Sequence, residues 1–211
     1  MLEHVTLSAL FFRLNYDLII GHSEGKCKEN FNNRAWVWHW ADEKTRSGEV
    51  VCPRDSGALT IHSCYSRHFR DENGKRYYGW VAQVHCADCD TYPALVPDFL
   101  MPHKHYEASV IEAEIARAEG TGSPGLSSCQ ANESTVLRWV RQFKERGACA
   151  VGWLTSILLD VYERHISAVE TRNKGLLDQL RRLAREFPVP TDGSVIGNVN
   201  IILTRYNHGF L

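Results

Sequence analysis

No stretch of about 18 consecutive apolar residues, the length a bilayer-spanning helix needs, occurs in the chain. The richest run, Ala148 to Leu159, is broken by Thr155 and Ser156 and stopped by Asp160, so a membrane span is not expected. A secretory leader is not expected either: Glu3 and His4, rather than a basic segment, precede the apolar run Leu7 to Phe12, and Asp17 follows soon after. Excess charge of one sign is also lacking. The formal net charge is −1 and the isoelectric point is near 6.8. These values exclude the globally basic character of many nucleic-acid binders, so any affinity for DNA has to come from local patches. No internal repeat or low-complexity tract is detected.

What the chain does have is enough apolar material for a core, 44% hydrophobic residues over 211 positions, and seven cysteines. An odd number of cysteines without an export signal points to a cytoplasmic protein with free thiols or metal ligands, not to a disulfide framework.

Residues 31–51 are aromatic, with Trp36, Trp38 and Trp40 alternating before the polar Thr45-Arg46-Ser47-Gly48 break, and they read as two short strands. Two further strands are expected over 58–69 and 76–85, joined through Asn73-Gly74, a dipeptide that tolerates positive φ and favours a hairpin. Pro93, Pro97 and Pro102 then impose an extended crossing segment. Helical spacing follows over 106–119, with Val110, Ile111, Ile115 and Ala118, and again over 133–146, where Gly147 is the expected stop. Two more helices, at about 149–169 and 174–187, precede a Pro188/Pro190/Gly193 break and a mixed tail. Their apolar stripes, Val151, Leu154, Leu158 and Val161, then Leu176, Leu177, Leu180, Leu183 and Ala184, suit a helical hairpin that packs internally or forms a homodimer interface.

Cys86-Ala87-Asp88-Cys89 leaves the expected hairpin and Cys52-Pro53-Arg54-Asp55 enters it. Two such turns brought together by intervening strands can surround a Zn2+ ion with four donors: Cys52, Asp55, Cys86 and Cys89. A second reading replaces Asp55 by Cys64, His62, His68 or His85, and a third is a ribbon without metal, held by its aromatic core. A four-ligand site is closed, so its role would be to stabilise the scaffold.

In the 133–146 helix, Val136, Trp139, Val140 and Phe143 sit at i, i+3, i+4, i+7 and define a buried face. Ser134, Thr135, Arg138, Arg141 and Gln142 occupy the other side, where they can bond phosphates or base edges, and Asn132 is a suitable N-cap. Arg67, His68, Arg70, Lys75 and Arg76 near the hairpin tip could add contacts. The plainer alternative is an amphipathic helix with a solvated basic face.

The order Cys52-Pro53, hairpin, Cys86-Ala87-Asp88-Cys89, Leu95-Val96-Pro97-Asp98-Phe99-Leu100-Met101-Pro102, Tyr106 and Ser134-Thr135-Val136-Leu137-Arg138-Trp139 resembles a bacterial family of unknown function found among mobile elements. That family is similar to the zinc ribbon and helix-turn-helix of insertion-sequence transposases, modules that recognise DNA ends. The resemblance spans roughly residues 51–146, and it implies Cys52, Cys86 and Cys89 as ligands, with Asp55 standing where the family pattern has cysteine.

The expected fold is therefore α+β. It comprises an N-terminal β-rich segment (1–50), a zinc-ribbon-like module (51–102), a helix-turn-helix (103–147) and a C-terminal helical region (148–211). The expected function is DNA binding without catalysis, as a transposition accessory factor or a transcriptional regulator of a mobile element. The alternatives are a protein-interaction module with a structural zinc ribbon, or a fragment of a metal-dependent nuclease or transposase built on carboxylates such as Asp160 and Glu163. No readable base partner accompanies Cys27, Cys64, Cys129 or Cys149 as a thiol nucleophile.

Overall fold

The computed structural model describes residues 18–21, 28–121, 129–164, 175–188 and 193–206; Cys27 and the apolar run Leu7 to Phe12 lie outside them. It is a mixed α+β structure, a four-stranded sheet flanked by helices.

The 31–51 segment forms a helix, not the expected pair of strands. A short 3-10 turn, Lys28–Asn32, leads into α1, Arg34–Arg46. Asn33 supplies the start signal, its Oδ1 accepting the N–H groups of Ala35 at 3.0 Å and Trp36 at 3.3 Å. Alternating tryptophans mimic a strand because Trp36 and Trp40 satisfy a period of two and also lie one helical turn apart, where their rings stack with centroids 6.5 Å apart. The neighbours decide between the two periods: Val37, Trp40, Ala41 and Lys44 are buried at i, i+3, i+4, i+7, whereas Trp38 is exposed. Asn33→Ala should cost about 1 kcal/mol, a drop of roughly 2–4 °C in melting temperature for a chain of this size. An unchanged thermal midpoint by circular dichroism would show that the cap is not what starts the helix.

The hairpin forms as expected. β2, Leu59–Arg70, pairs antiparallel with β3, Arg76–Cys86, in a register running from Leu59↔Cys86 to Arg70↔Arg76, with one bulge between Ile61 and Ser63. In the turn, Gly74 alone carries the positive φ, 74°. The Asp71 carboxylate accepts the N–H groups of Asn73 and Lys75 at 3.0 and 2.9 Å. The proline-rich crossing contributes β4, Ala94–Pro97, antiparallel to β3 and parallel to β1, Leu18–Gly21, giving the order β1-β4-β3-β2. α1 closes a core over the base of the hairpin with Phe31, Val37, Trp40, Leu59, Val84 and Leu95. A separate cluster of Phe69, Val81, Val96 and Leu100 lies around Phe99.

The helical half contains α2 (Ala108–Thr121), α3 (Glu133–Tyr162), α4 (Leu176–Ala184) and α5 (Val195–Arg205). The expected stop at Gly147 does not occur, and α3 runs on to Tyr162 in place of two helices. A glycine costs a helix interior only about 1 kcal/mol, and the buried stripe continues unbroken through Val136, Val140, Phe143, Ala150, Leu154 and Leu158. Gly147 is buried where α4 approaches; a Cβ there would meet Leu176 at 3.3 Å. The helix ends at Glu163, which adopts φ 52°, while Arg164 donates to Leu158 O at 2.9 Å.

The leucines Leu177, Leu180 and Leu183 are buried in the core against α3, the internal packing that is one of the two uses expected of the stripe; Val161 stays exposed. The expected mixed tail contains α5, capped by Ser194, whose Oγ accepts the N–H of Gly197 at 2.9 Å. Its residues Val195 to Leu203 are buried on every side, so it has no polar face to give it a helical signature.

Candidate metal centre and basic surface

Cys52 enters the hairpin and Cys86 ends β3, so pairing Leu59 with Cys86 draws their two turns together. The turns repeat one local geometry. In each, the residue after the second donor is left-handed, Ser56 at φ 61° and Asp90 at φ 51°. In each, the N–H of the first cysteine reaches the carbonyl of the next residue along: Cys52 to Gly57 at 3.0 Å, Cys86 to Thr91 at 3.0 Å. Asp55 thus stands in its turn where Cys89 stands in the other.

One ligand atom from each of Cys52, Asp55, Cys86 and Cys89 lies within 4.8 Å of all the others, an arrangement that could hold a metal ion. Cys52 Sγ is 3.5 Å from Cys89 Sγ, and Cys86 Sγ is 3.5 Å from Asp55 Oδ1. A tetrahedral site with metal–sulfur bonds of about 2.3 Å has edges of roughly 3.8 Å, close to these separations. Cys52 and Cys86 are fully buried, Cys89 is half-buried and Asp55 faces solvent, so the cluster rests on the α1–sheet core. The N–H of Arg54 points at Cys52 Sγ from 3.4 Å, and Thr91 Oγ1 lies 3.0 Å from Cys89 Sγ, supporting groups of the kind that orient metal ligands. A Cβ on Gly57 would come within 3.1 Å of Cys86 Sγ and 2.9 Å of Asp55 Oδ1, so the close approach of that loop depends on glycine.

The carboxyl of Asp55 is held down to about 2, chiefly by the Gly57 backbone N–H and then by the Cys52 and Cys89 side chains. Burial pushes the Cys86 thiol up to about 11. A buried thiol in that condition becomes a ligand only where a cation compensates the thiolate.

The other donors weighed for the fourth position go elsewhere. His85 Nε2 lies 3.0 Å from Asp90 Oδ1, with its ring stacked on Tyr92, and His62 packs edge-on against the same tyrosine. Cys64 is buried beneath α1, and His68 stacks on His105.

On α3, Val136, Trp139, Val140 and Phe143 are buried as the periodicity requires. Ser134, Arg138 and Arg141 are exposed, while Thr135 and Gln142 are half-buried. Asn132 takes the extended N-cap conformation, but its side chain makes no capping bond. Arg141 sits 3.9 Å from Glu145. Gln142 accepts a hydrogen bond from Lys104 Nζ, a residue that sequence reasoning passed over because it lies between prolines and histidines outside any periodic element. Burial lowers the Lys104 pKa, and nearby Arg138 and Arg146 lower it further.

His105 extends this group to the hairpin, its ring stacked 4.4 Å from His68 with the planes 1° apart. The His68 pKa is lowered by burial first, then by His105, Arg76, Arg67 and Arg70. Arg67 has a structural task, donating to the carbonyls of Met101 (2.7 Å) and Lys104 and so pinning the segment before α2 to β2. At the hairpin tip a Cβ on Gly74 would strike Gln130 at 2.3 Å, which shows how closely the turn abuts the start of α3. Tyr106 meets Trp139 edge-on at 5.0 Å. Of the connection between α2 and α3, residues 122–128 lie outside the described residues.

Residues 52–139 match the model of a domain of unknown function, DUF6431, a span of less than half the chain. It begins at the first cysteine of the candidate metal site and ends on the buried tryptophan of α3. No curated protein and no solved structure matches the chain. Among the described residues no helix is long and apolar enough to cross a membrane.

Proposed function

We propose that the chain is a DNA-binding protein in which a zinc-ribbon-like pair of turns fixes a β-hairpin, and the hairpin tip together with a helix-turn-helix formed by α2 and α3 meets the phosphate backbone. The observation that carries this reading is the run of cationic and titratable groups from Arg76 and His68 through His105 and Lys104 to Arg138 and Arg146, held together in a chain of net charge −1. Local concentration of charge is what a polyanion needs, whatever the total. Three thiols and a carboxylate suit Zn2+, and four protein donors leave no open position, so the metal would serve as scaffold and not as reagent.

Fluorescence anisotropy with a labelled duplex over a salt series tests the reading. Affinity should fall steeply, with a slope of about −0.9 in log–log form for each phosphate contact. No binding at low salt would overturn it and favour a protein-interaction surface instead, to which Leu137, 45% exposed on the same helix, would contribute.

A further inference from the structure

α1 covers the base of the hairpin; on the tip half of the same face Ser66, Arg76 and Tyr78 are exposed, while His68, Arg70 and Trp80 are half-buried. Antiparallel register places Ser66 opposite Trp80, His68 opposite Tyr78, and Arg70 opposite Arg76. Side chains two apart share a face, so these six residues lie together, and none is acidic. On the other face Phe69 and Gly79 are buried. Tyr78, close to the turn, is 62% exposed although it is a large ring, and it tilts toward His68, whose ring in turn stacks on His105. Arg34 lies over the Trp80 ring, 5.3 Å from its centroid, and closes the α1 side of the face.

Rings interleaved with guanidinium groups form a surface of a particular chemistry. Phosphates attract the arginines, whereas the exposed Tyr78 ring needs a flat apolar partner, and an unpaired nucleotide supplies both together. Duplex DNA presents its phosphates but keeps its base faces stacked inside. We propose that the tip face of the hairpin is a base-stacking platform for a single-stranded stretch of DNA adjoining the duplex on α3. The proposal rests on the DNA-binding reading and specifies the form of the ligand.

The full chain, supplied with Zn2+, would be titrated with four labelled probes, the last of them the tail strand alone. One is a blunt duplex of about two helical turns. The second is the same duplex with a single-stranded tail of about ten nucleotides, within the length such platforms track. The third carries an abasic tail that keeps the phosphates and lacks the bases.

The base-bearing tail should tighten binding about tenfold over the blunt duplex. Tyr78→Ala should abolish that gain and Tyr78→Phe should keep it, the gain being the ratio of tailed-probe to blunt-duplex affinity taken within each variant. Equal affinity for blunt and tailed probes, or for abasic and normal tails, would overturn the platform. If the blunt duplex fails to bind but an isolated single strand binds in a Tyr78-dependent way, the platform stands and the role given to α3 falls. Absence of binding to every probe overturns both.

Discussion

On the proposed reading of the Cys52/Asp55/Cys86/Cys89 site, chelating its ion or replacing Cys86 by serine is expected to lower the melting temperature by on the order of 10 °C while leaving most helical signal in place. Cys52 and Cys86 are completely buried, and both belong to the cluster that joins α1 to the sheet. Without an ion, that cluster would hold thiols beside a carboxylate that stays charged, and the two turns would lose their shared centre. Structural zinc sites bind with free energies of about 10–16 kcal/mol in isolated peptides. A domain with its own apolar core should lose only part of that, roughly 3–5 kcal/mol, at about 2–4 °C per kcal/mol.

The damage should be local. The helical core around Trp139, Phe143, Leu158 and Leu180 shares no residue with the cluster under the metal centre. Amide exchange should therefore accelerate in α1 and the base of the hairpin before it does in α3. Asp55→Cys should retain the ion more tightly, since thiolate is the softer donor, and Asp55→Ala should release it more readily. A purified protein free of metal, with a melting point indifferent to chelator, would refute the assignment.

Arg138→Glu should weaken binding to duplex DNA by at least tenfold and flatten the salt dependence by about one unit of slope. Arg138 is exposed and close enough to Lys104 to depress that residue's pKa, so it sits where the α3 charges meet those of the hairpin. On the DNA-binding reading proposed above, reversing it removes one phosphate partner and places a carboxylate beside the remaining cations. Folding should be untouched, because the side chain contributes to no apolar cluster. Arg141→Glu is expected to matter less: Arg141 already faces Glu145 at 3.9 Å, which neutralises part of its field. Equal losses at the two positions would mean that general charge, not the arrangement around Lys104, determines affinity.

Much of the candidate site could be read before any coordinates. Asn73-Gly74 marked the turn, the CxxC at Cys86 and the Cys52-Pro53-Arg54-Asp55 segment marked the donors, and the spacing of Val136, Trp139, Val140 and Phe143 marked the buried face of α3. Each of these signals is local, carried by backbone preference or by one periodicity. α1 was misread because Trp36 and Trp40 fit two periods, and α5 was missed because a helix buried all round has no amphipathic pattern. The continuation of α3 through Gly147 was equally hidden, since a glycine that ends a helix and one that admits a neighbouring helix look the same in sequence.

By itself, then, the sequence determined the hairpin with its turn, the donor types at each end and the inward face of α3, because those follow from interactions spanning a few residues. Only the tertiary structure decided that Asp55 occupies the position matching Cys89, that Lys104 and His105 bridge the hairpin to α3, and that the Tyr78 ring stands exposed beyond α1. Those facts depend on which distant surfaces exclude water together, and contacts of that kind leave no periodic trace along the chain.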